Sequence, residues 1–286
     1  MTLPEAPPIR AHPVRTLLVL DHPAFNPLPF PAEGYRAIRV TGLDALLAAV
    51  RRAPPSTAVL VAPFGSAGGE PDPALQVLLA SAPLLPVVAA ADLASCAPAG
   101  VETLLRWGVS EVVDMGLEGG PEALVPRFRA AHARPLKRRL EARLSRYASA
   151  NAMTLVRAAA EVACDCGLSD DLAAVFGVNE RTVADWCARE GVPPPRRLLG
   201  WVRVLLAVGL LEELGRSWTN VARSTGYVDG KGLRRAIGGL VRPEPRDGTI
   251  PRRPSFEMAM AAFDRELHEA REKVRGTRGF RSARSR

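Results

Sequence analysis

The feature that most constrains this chain is a spaced pattern of apolar, small and glycine residues that occurs twice between Leu168 and Pro245. The first copy consists of Leu172, Ala173, Phe176, Gly177, Val178, Val183 and Trp186, and the second of Val221, Ala222, Gly226, Tyr227, Leu233 and Ala236. The alanines and the glycines of the two copies are 49 residues apart, whereas Val183 and Leu233 are 50 apart, so the second turn has one extra residue. A small residue at a helix crossing and a glycine in the turn are what two helix-turn-helix units require.

The second helix of each unit is predicted to begin at a capping residue and to bury one face. Asn179 and Asp229 are in the N-cap position, where a side-chain oxygen accepts a hydrogen bond from a free backbone amide. The residues expected to face the core, from their helical spacing, are Val183, Trp186, Leu233, Ala236 and Ile237. The residues expected to face outward and to contact DNA are Arg181, Thr182, Asp185, Arg189, Lys231, Arg234 and Arg235.

Residues 168 to 245 resemble the DNA-binding domain of AraC-type transcriptional regulators, in which two helix-turn-helix units are joined by a central helix. The joining segment agrees with the family pattern Arg-x-x-x-Ala-x-x-Leu-Leu through Arg203, Ala207, Leu210 and Leu211. Pro245 falls where the terminal proline of the family usually lies. The resemblance implies a sequence-specific regulator of transcription, with double-stranded DNA, a second copy of the chain and RNA polymerase as partners.

Two features of the pattern favour a different use of the same fold. The second recognition helix has glycines in it or beside it, at Gly230, Gly232, Gly238 and Gly239, and each interior glycine costs about 1 kcal/mol relative to alanine. In the first unit Glu180 and Asp185 face outward, and acidic groups repel phosphate. The alternative is therefore a protein–protein interaction module with degenerate helix-turn-helix units that no longer read DNA.

The formal net charge of +8 is unevenly distributed along the chain. Residues 151–245 hold 12 basic and 11 acidic side chains, whereas residues 135–150 hold 5 and 1, and residues 246–286 hold 11 and 6. Basic flanks of this kind neutralise phosphates without reading bases, which makes DNA affinity depend on salt. A solvated linker helix and a disordered tail would explain the same composition.

The N-terminal part alternates short apolar runs with segments of helical length. The predicted strands are residues 15–20, 37–40, 57–62, 85–90 and 110–113, and the predicted helices are residues 43–52, 73–82, 99–107 and 121–133. Such alternation predicts a doubly wound α/β sheet. An all-α double helix-turn-helix domain would follow it.

The succession of these elements resembles the receiver domain of two-component response regulators. Phosphotransfer in that family needs an aspartate after the third strand and a lysine after the fifth, where this chain has Val61-Ala62-Pro63 and Met115. We therefore predict a pseudo-receiver that lacks its phosphorylation residues and serves dimerisation or docking. An active receiver with an unusual acceptor is the rival hypothesis. Asp21 and His22 fit either a plain loop or the remnant of a ligand site.

The sequence predicts four segments. They are a receiver-like α/β domain over 1–134, a linker helix over 135–150, an AraC-like double helix-turn-helix domain over 151–250, and a C-terminal helix with a basic tail over 251–286. The linker stripe, which packs on the next domain or pairs with its twin in a dimer, is Leu136, Leu140, Leu144 and Tyr147. Residues 256–273 are predicted as an amphipathic helix with Met258, Ala262, Phe263 and Leu267 on one side, and residues 275–286 as a disordered basic arm.

The remaining features exclude several classes of protein. The chain has no run of eighteen apolar residues and no leader over residues 1–15, so we expect a soluble, cytoplasmic protein without a membrane partner. Cys164, Cys166 and Cys187 could be imagined as a zinc or redox site, but we expect buried packing residues. We expect no catalytic residue, no metal and no cofactor.

Overall fold

The computed structural model of the protein describes residues 14–25, 34–64, 69–118, 120–146, 148–213, 216–241 and 253–284. Its strands are β1 (Arg15–Leu20), β2 (Tyr35–Val40), β3 (Ala58–Val61), β4 (Val87–Ala91) and β5 (Glu111–Asp114). Its helices are α1 (Leu43–Arg52), α2 (Pro73–Ser81), α3 (Pro98–Trp107), α4 (Met115–Glu118), α5 (Pro121–Leu144), α6 (Ala150–Cys164), α7 (Ser169–Val175), α8 (Glu180–Glu190), α9 (Pro195–Glu212), α10 (Trp218–Ser224), α11 (Gly230–Leu240) and α12 (Phe256–Arg284). We call β1 to α5 the α/β part and α6 to α12 the helical part.

The five strands form one parallel sheet in the order β2-β1-β3-β4-β5. Alternate residues of each strand point to opposite faces, so the apolar strands contribute side chains to two hydrophobic cores. On one face, strand residues pack with Leu46, Leu78 and Leu104 from α1, α2 and α3. On the other face, they pack with Leu124 and Phe128 of α5. The predicted α/β sheet is thus confirmed, and each of its five strands lies within two residues of the predicted bounds.

The connection from β1 to β2 differs from the other crossovers. Its described residues form a short 3-10 helix over Pro23–Phe25, and Phe25 is buried against the sheet. Residues 26–33 lie outside the described residues.

One continuous helix, α5, replaces the two helices predicted on either side of residue 134. The predicted break between these two helices is therefore wrong, although Pro135 would be expected to end a helix. Packing on both sides of the proline outweighs the missing hydrogen bond: Phe128 is buried under the sheet, and Leu136 and Leu140 are buried in the helical part. The linker stripe thus packs on the next domain within the same chain, while Tyr147 lies outside the described residues.

The helical part has one core around α9, whose Trp201 is 1% exposed and lies 5.5 Å from the Phe263 ring of α12. The predicted C-terminal helix is present, but its buried side includes Met260 whereas Met258 is half-buried. Because α12 continues to Arg284, the prediction of a disordered arm is wrong up to that residue. Pro245 lies outside the described residues. Among the helices described, none has both the length and the apolar character that crossing a bilayer requires.

Candidate nucleic-acid interface

The first helix pair, α7 and α8, is joined by a tight turn. Gly177 has a φ of 64°, the left-handed conformation that was predicted for it. The Val178 amide donates to the Ala173 carbonyl at 3.2 Å, which closes the turn. Asn179 caps α8, because its Oδ1 accepts hydrogen bonds from the Thr182 amide at 2.9 Å and the Thr182 hydroxyl at 3.0 Å.

The second helix pair, α10 and α11, repeats this geometry 49 residues later. Gly226 has a φ of 81°, and the Tyr227 amide donates to the Ala222 carbonyl at 2.8 Å. Asp229 caps α11 by accepting a hydrogen bond from the Gly232 amide at 2.7 Å. The extra residue predicted for the second turn is Val228, which is 93% exposed. The two pairs therefore have the same turn and the same type of cap, and they differ in the length of the approach to the second helix.

The predicted DNA-contacting residues lie on the outer sides of α8 and α11. Those that are exposed are Arg181, Asp185, Arg189, Lys231, Arg234 and Arg235, whereas Thr182 is half-buried. The hydroxyl of Thr182 is already bonded to Asn179, so this residue supports the cap. On the inner side, Val183 is fully buried as predicted.

The inner face of α8 differs from the prediction at one position. Cys187 is fully buried, whereas Trp186 is half-buried and lies edge-on to Phe176, with ring centroids 5.6 Å apart. Both positions lie on the inner side of a helix that starts at residue 180. The sequence favoured the larger apolar residue, whereas the structure buries the smaller one more deeply and leaves Trp186 at the edge of the core.

The exposed faces of α8 and α11 differ in charge. On α8 the charges of Arg181 and Arg189 are balanced by Glu180 and Asp185. On α11 there are three basic side chains, Lys231, Arg234 and Arg235, and the helix contains no acidic residue. The guanidinium of Arg234 lies 4.9 Å from the Trp218 ring of α10, a cation–π distance that holds this side chain against the first helix of the pair.

Sequence reasoning missed that α12 packs beside α8. Gly191 ends α8 with a φ of 66°, and a Cβ at this position would lie 2.9 Å from the Cα of Arg271. Ala184 and Ala188 of α8, together with Ala270 and Val274 of α12, line an open groove of about 840 Å³. Arg189 also lies at this groove. The C-terminal half of α8 therefore has a neighbouring helix, while Arg181 and Asp185 lie toward its other end.

A bidentate ion pair holds the N-terminal half of α12 against the start of α9. Arg197 Nε and Nη2 donate to the two carboxylate oxygens of Glu266, each at 2.8 Å. These hydrogen bonds raise the pKa of Arg197. A pair 69 residues apart in sequence leaves no local periodic signal, so only the opposite charges could have suggested it.

Four of the five basic side chains in the segment before the helical part contact other parts of the fold, whereas Arg146 is exposed. Lys137 lies 2.6 Å from Glu161, Arg143 lies 3.1 Å from Asp264, and Arg138 donates to the Gly108 carbonyl. Arg139 lies over the Phe256 ring at 3.5 Å. Burial lowers the pKa of both Arg138 and Arg139. These four cations join parts of the fold, which corrects the expectation that they flank DNA.

Among the residues that the structure describes, the carboxyl end of the sheet and the cysteines show no assembled reactive site. Asp21 pairs with Arg39 at 2.9 Å, and Asp114 accepts a hydrogen bond from the Gly116 amide. Burial raises the pKa of Cys164 to about 12 and that of Cys187 to about 11, which disfavours the thiolates that bind metals. Within the described ranges, no group of three or more His, Cys, Asp or Glu side chains is placed to hold a metal ion.

Comparisons of the chain with protein-family models, with curated proteins and with solved structures found no match. The function is therefore inferred from the geometry of the chain itself.

Proposed function

We propose that the protein is a sequence-specific, DNA-binding transcriptional regulator of the AraC type, with α8 and α11 as its two recognition helices. The observation that carries the proposal is the repetition of one turn geometry 49 residues apart, each copy followed by a capped helix with an exposed outer face. A helix of this kind fits the major groove. Two of them on one chain would enter successive groove segments, about 34–36 Å apart.

The two helices are assigned different tasks. In α8, Arg181 would bond a guanine through two hydrogen bonds, and Asp185 would accept a hydrogen bond from the amino group of cytosine. Arg189 lies near α12 and would contact the phosphate backbone of DNA. In α11, Lys231, Arg234 and Arg235 would contact phosphates, because three clustered cations attract the backbone whatever its sequence.

The α/β part is assigned the role of a pseudo-receiver. Its strand order, β2-β1-β3-β4-β5, is the order that receivers share with other doubly wound proteins. Ala62 and Pro63 follow β3, and Met115 follows β5, where phosphotransfer needs a carboxylate and a lysine. Incubation with a small phosphodonor is therefore expected to leave the mass of the protein unchanged. We propose a second copy of the chain and RNA polymerase as its protein partners.

The test of the proposed function is the selection of duplexes from a random DNA pool by the full chain, at low and at physiological salt. One enriched motif that survives the higher salt would support base readout. Arg181→Ala should then relax the preference at one base pair, by about 1–3 kcal/mol. Arg106→Ala is the matched control, because Arg106 is an exposed arginine of the α/β part. If Arg181→Ala bound every site as the parent does, the assignment of Arg181 would be wrong.

A protein–protein interaction module is the second candidate function. The balanced charges of α8 and the exposure of Val228 beside α11 favour it, because a helix face without a net positive charge and an exposed apolar side chain suit a protein partner. Selection that returns no motif, with binding that disappears at physiological salt, would support this function and overturn the first.

A further inference from the structure

Apart from the leucines and the basic residues of α5, three contacts among the described residues join the α/β part to the helical part, and two of them are made by arginines, one in each direction. The first is Arg15 at the start of β1, whose side chain is 10% exposed. Its Nη2 donates to the Cys164 carbonyl at 2.9 Å and to Asp165 Oδ1 at 2.7 Å. A cation at the end of a helix satisfies carbonyls that have no partner within the helix. The α/β part thus caps α6 at the point where the chain turns into the first helix pair.

The second arginine, Arg216, lies in the connection between α9 and α10 and crosses in the opposite direction. Its Nη1 donates to the carbonyl of Ala53, the C-cap residue of α1. Its Nε donates to Glu213 Oε2 at 3.0 Å, and both side chains are 4% exposed. Burial raises the pKa of Glu213, and the positive charge of Arg216 partly offsets this rise. The helical part thus caps α1 from the point where the chain turns into the second helix pair.

A third contact between the two parts is apolar. Leu84, in the connection between α2 and β4, belongs to the core of the helical part and is 4% exposed. Its Cδ1 lies 2.5 Å from where a Cβ of residue 209 would be, and Phe256 Cδ2 lies 3.2 Å from the same point. Gly209 therefore lets Leu84 reach α9 and α12. The α/β part touches the helical part at the entry to each helix pair and at the helix that packs beside α8.

The two helix pairs both pack on α9, and the connection that leads into α7 also contacts the second pair directly. Cys166, which has a φ of 56°, directs its Sγ to the Ser224 carbonyl at 3.6 Å and lies beside Gly226. Thiols are weak donors, and a left-handed non-glycine residue carries strain. In addition, α11 contains four glycines, which reduce its intrinsic stability. The relative position of the two pairs therefore depends both on α9, on which the two pairs pack, and on the connections that enter each pair.

We infer that the α/β part fixes the relative position of α8 and α11 and so determines the spacing between the two DNA segments that the protein reads. This inference rests on the proposed function for its DNA consequence, but the position of the two helices can be measured without DNA. One base pair inserted between the half-sites moves the second site by about 3.4 Å and rotates it by roughly 35°. A protein with fixed helices would not tolerate that change.

The inference is tested with two variants of the full chain that break the crossing contacts. Arg15→Met removes the first contact. The side chain of Asp165, which is 42% exposed, then remains in contact with solvent. The pair Glu213→Gln with Arg216→Met removes the second contact without leaving an unpaired buried charge. Arg39→Met is the matched control, because the 2.9 Å pair of Arg39 with Asp21 lies wholly within the α/β part. Far-UV circular dichroism selects the variants that fold, and each of the two variants tests the inference separately.

The first measurement is the distance distribution between two spin labels, one on Glu180→Cys and one on Gly239→Cys. The labelled protein also has Cys96→Ser, and mass measurement checks that only the two introduced cysteines are labelled. Both labelled positions are exposed, and a Cβ at residue 239 would meet no atom within 4 Å. The parent and Arg39→Met should give the same narrow distribution, and each crossing variant should at least double its width. Crossing variants as narrow as the parent would overturn the inference.

The second measurement uses the motif that the parent selects, with one base pair added or removed between its half-sites. The parent and Arg39→Met should lose about tenfold or more in affinity, while the crossing variants should lose less than about threefold. An unchanged dependence on spacing in the crossing variants would overturn the inference. If the parent selects no motif, the proposed function fails, and the distance measurement alone then decides whether the α/β part positions the helices.

Discussion

The two helix pairs have the same turn geometry, but their exposed second helices, α8 and α11, differ in their properties. In the first pair, α8 is capped at both ends, ends at the left-handed Gly191, and has α12 at its side. In the second pair, α11 contains four glycines, two of which face open space. The charges also differ, because α8 holds two basic and three acidic residues, whereas α11 holds three basic residues and no acidic one.

This difference suggests a division of labour within one scaffold. A rigid helix with few net charges can hold side chains in the geometry that base readout requires, because each contact depends on direction. A cationic helix needs no such precision, since phosphates attract it along the whole duplex. We therefore expect α8 to determine which sequence is bound and α11 to determine how tightly DNA is bound.

The largest effect is expected from removing the charge of α11. The triple variant Lys231→Ala, Arg234→Ala and Arg235→Ala should lower affinity for all duplexes by at least about a hundredfold at low salt, and should reduce the salt slope by about 3. The measurement is a binding titration at several salt concentrations, on the selected motif and on a scrambled duplex. The matched control removes the exposed Arg36, Arg51 and Arg106 of the α/β part. A loss confined to the selected motif would contradict the division between the helices.

The support that α12 gives to α8 is tested by two glycines of similar conformation. Gly191→Ala forces a Cβ against the backbone of Arg271, in addition to the strain of a left-handed alanine, which is about 1–2 kcal/mol. Gly177→Ala adds the same strain at a φ of 64° but meets no atom within 4 Å. Chemical unfolding should show a larger loss of stability for Gly191→Ala, by about 1 kcal/mol or more. Equal losses would mean that α12 does not constrain α8.

The glycine content of α11 leads to a third prediction. Replacing glycine by alanine in α11 should stabilise the protein, whereas the reverse change in α8 should destabilise it. Gly238→Ala with Gly239→Ala should raise the free energy of unfolding by about 1–2 kcal/mol, because both residues are exposed and a Cβ there meets nothing. Ala188→Gly in α8 should lower it by about 1 kcal/mol. Thermal or urea unfolding measures both changes. If the alanines in α11 gave no stabilisation, glycine content would not explain the difference between the pairs.

Much of the similarity between the two helix pairs could be predicted from local sequence. The caps at Asn179 and Asp229 and the turn glycines depend on neighbouring residues, so the sequence indicated where α8 and α11 begin. The packing of α12 on α8 was missed, because it depends on Gly191 meeting Arg271, which is 80 positions away. Contacts at such separation leave no periodic pattern.

Other expectations failed because tertiary packing outweighed a local rule. Pro135 does not end α5, since the leucines after it and Phe128 before it are both buried. The basic residues of α5 were expected to face DNA, but composition does not show that acidic partners such as Glu161 and Asp264 lie opposite them. The crossing contact between Arg15 and Asp165 spans 150 residues and could not be inferred from either residue alone.

The smallest predicted effect concerns the aromatic contact within each pair. In the first pair Trp186 meets the edge of Phe176, at an interplanar angle of 82°, and in the second pair Trp218 meets the guanidinium of Arg234. Double-mutant cycles should give a coupling of about 0.5–1.5 kcal/mol for Phe176→Leu with Trp186→Leu, and of about 0.5–1 kcal/mol for Trp218→Leu with Arg234→Met. Trp218→Phe should retain part of the second coupling, because the ring face that attracts the cation is kept. Because Arg234→Met keeps the aliphatic stem and removes the charge, a coupling near zero in the second pair would mean that Arg234 is held against α10 by its stem and not by its charge.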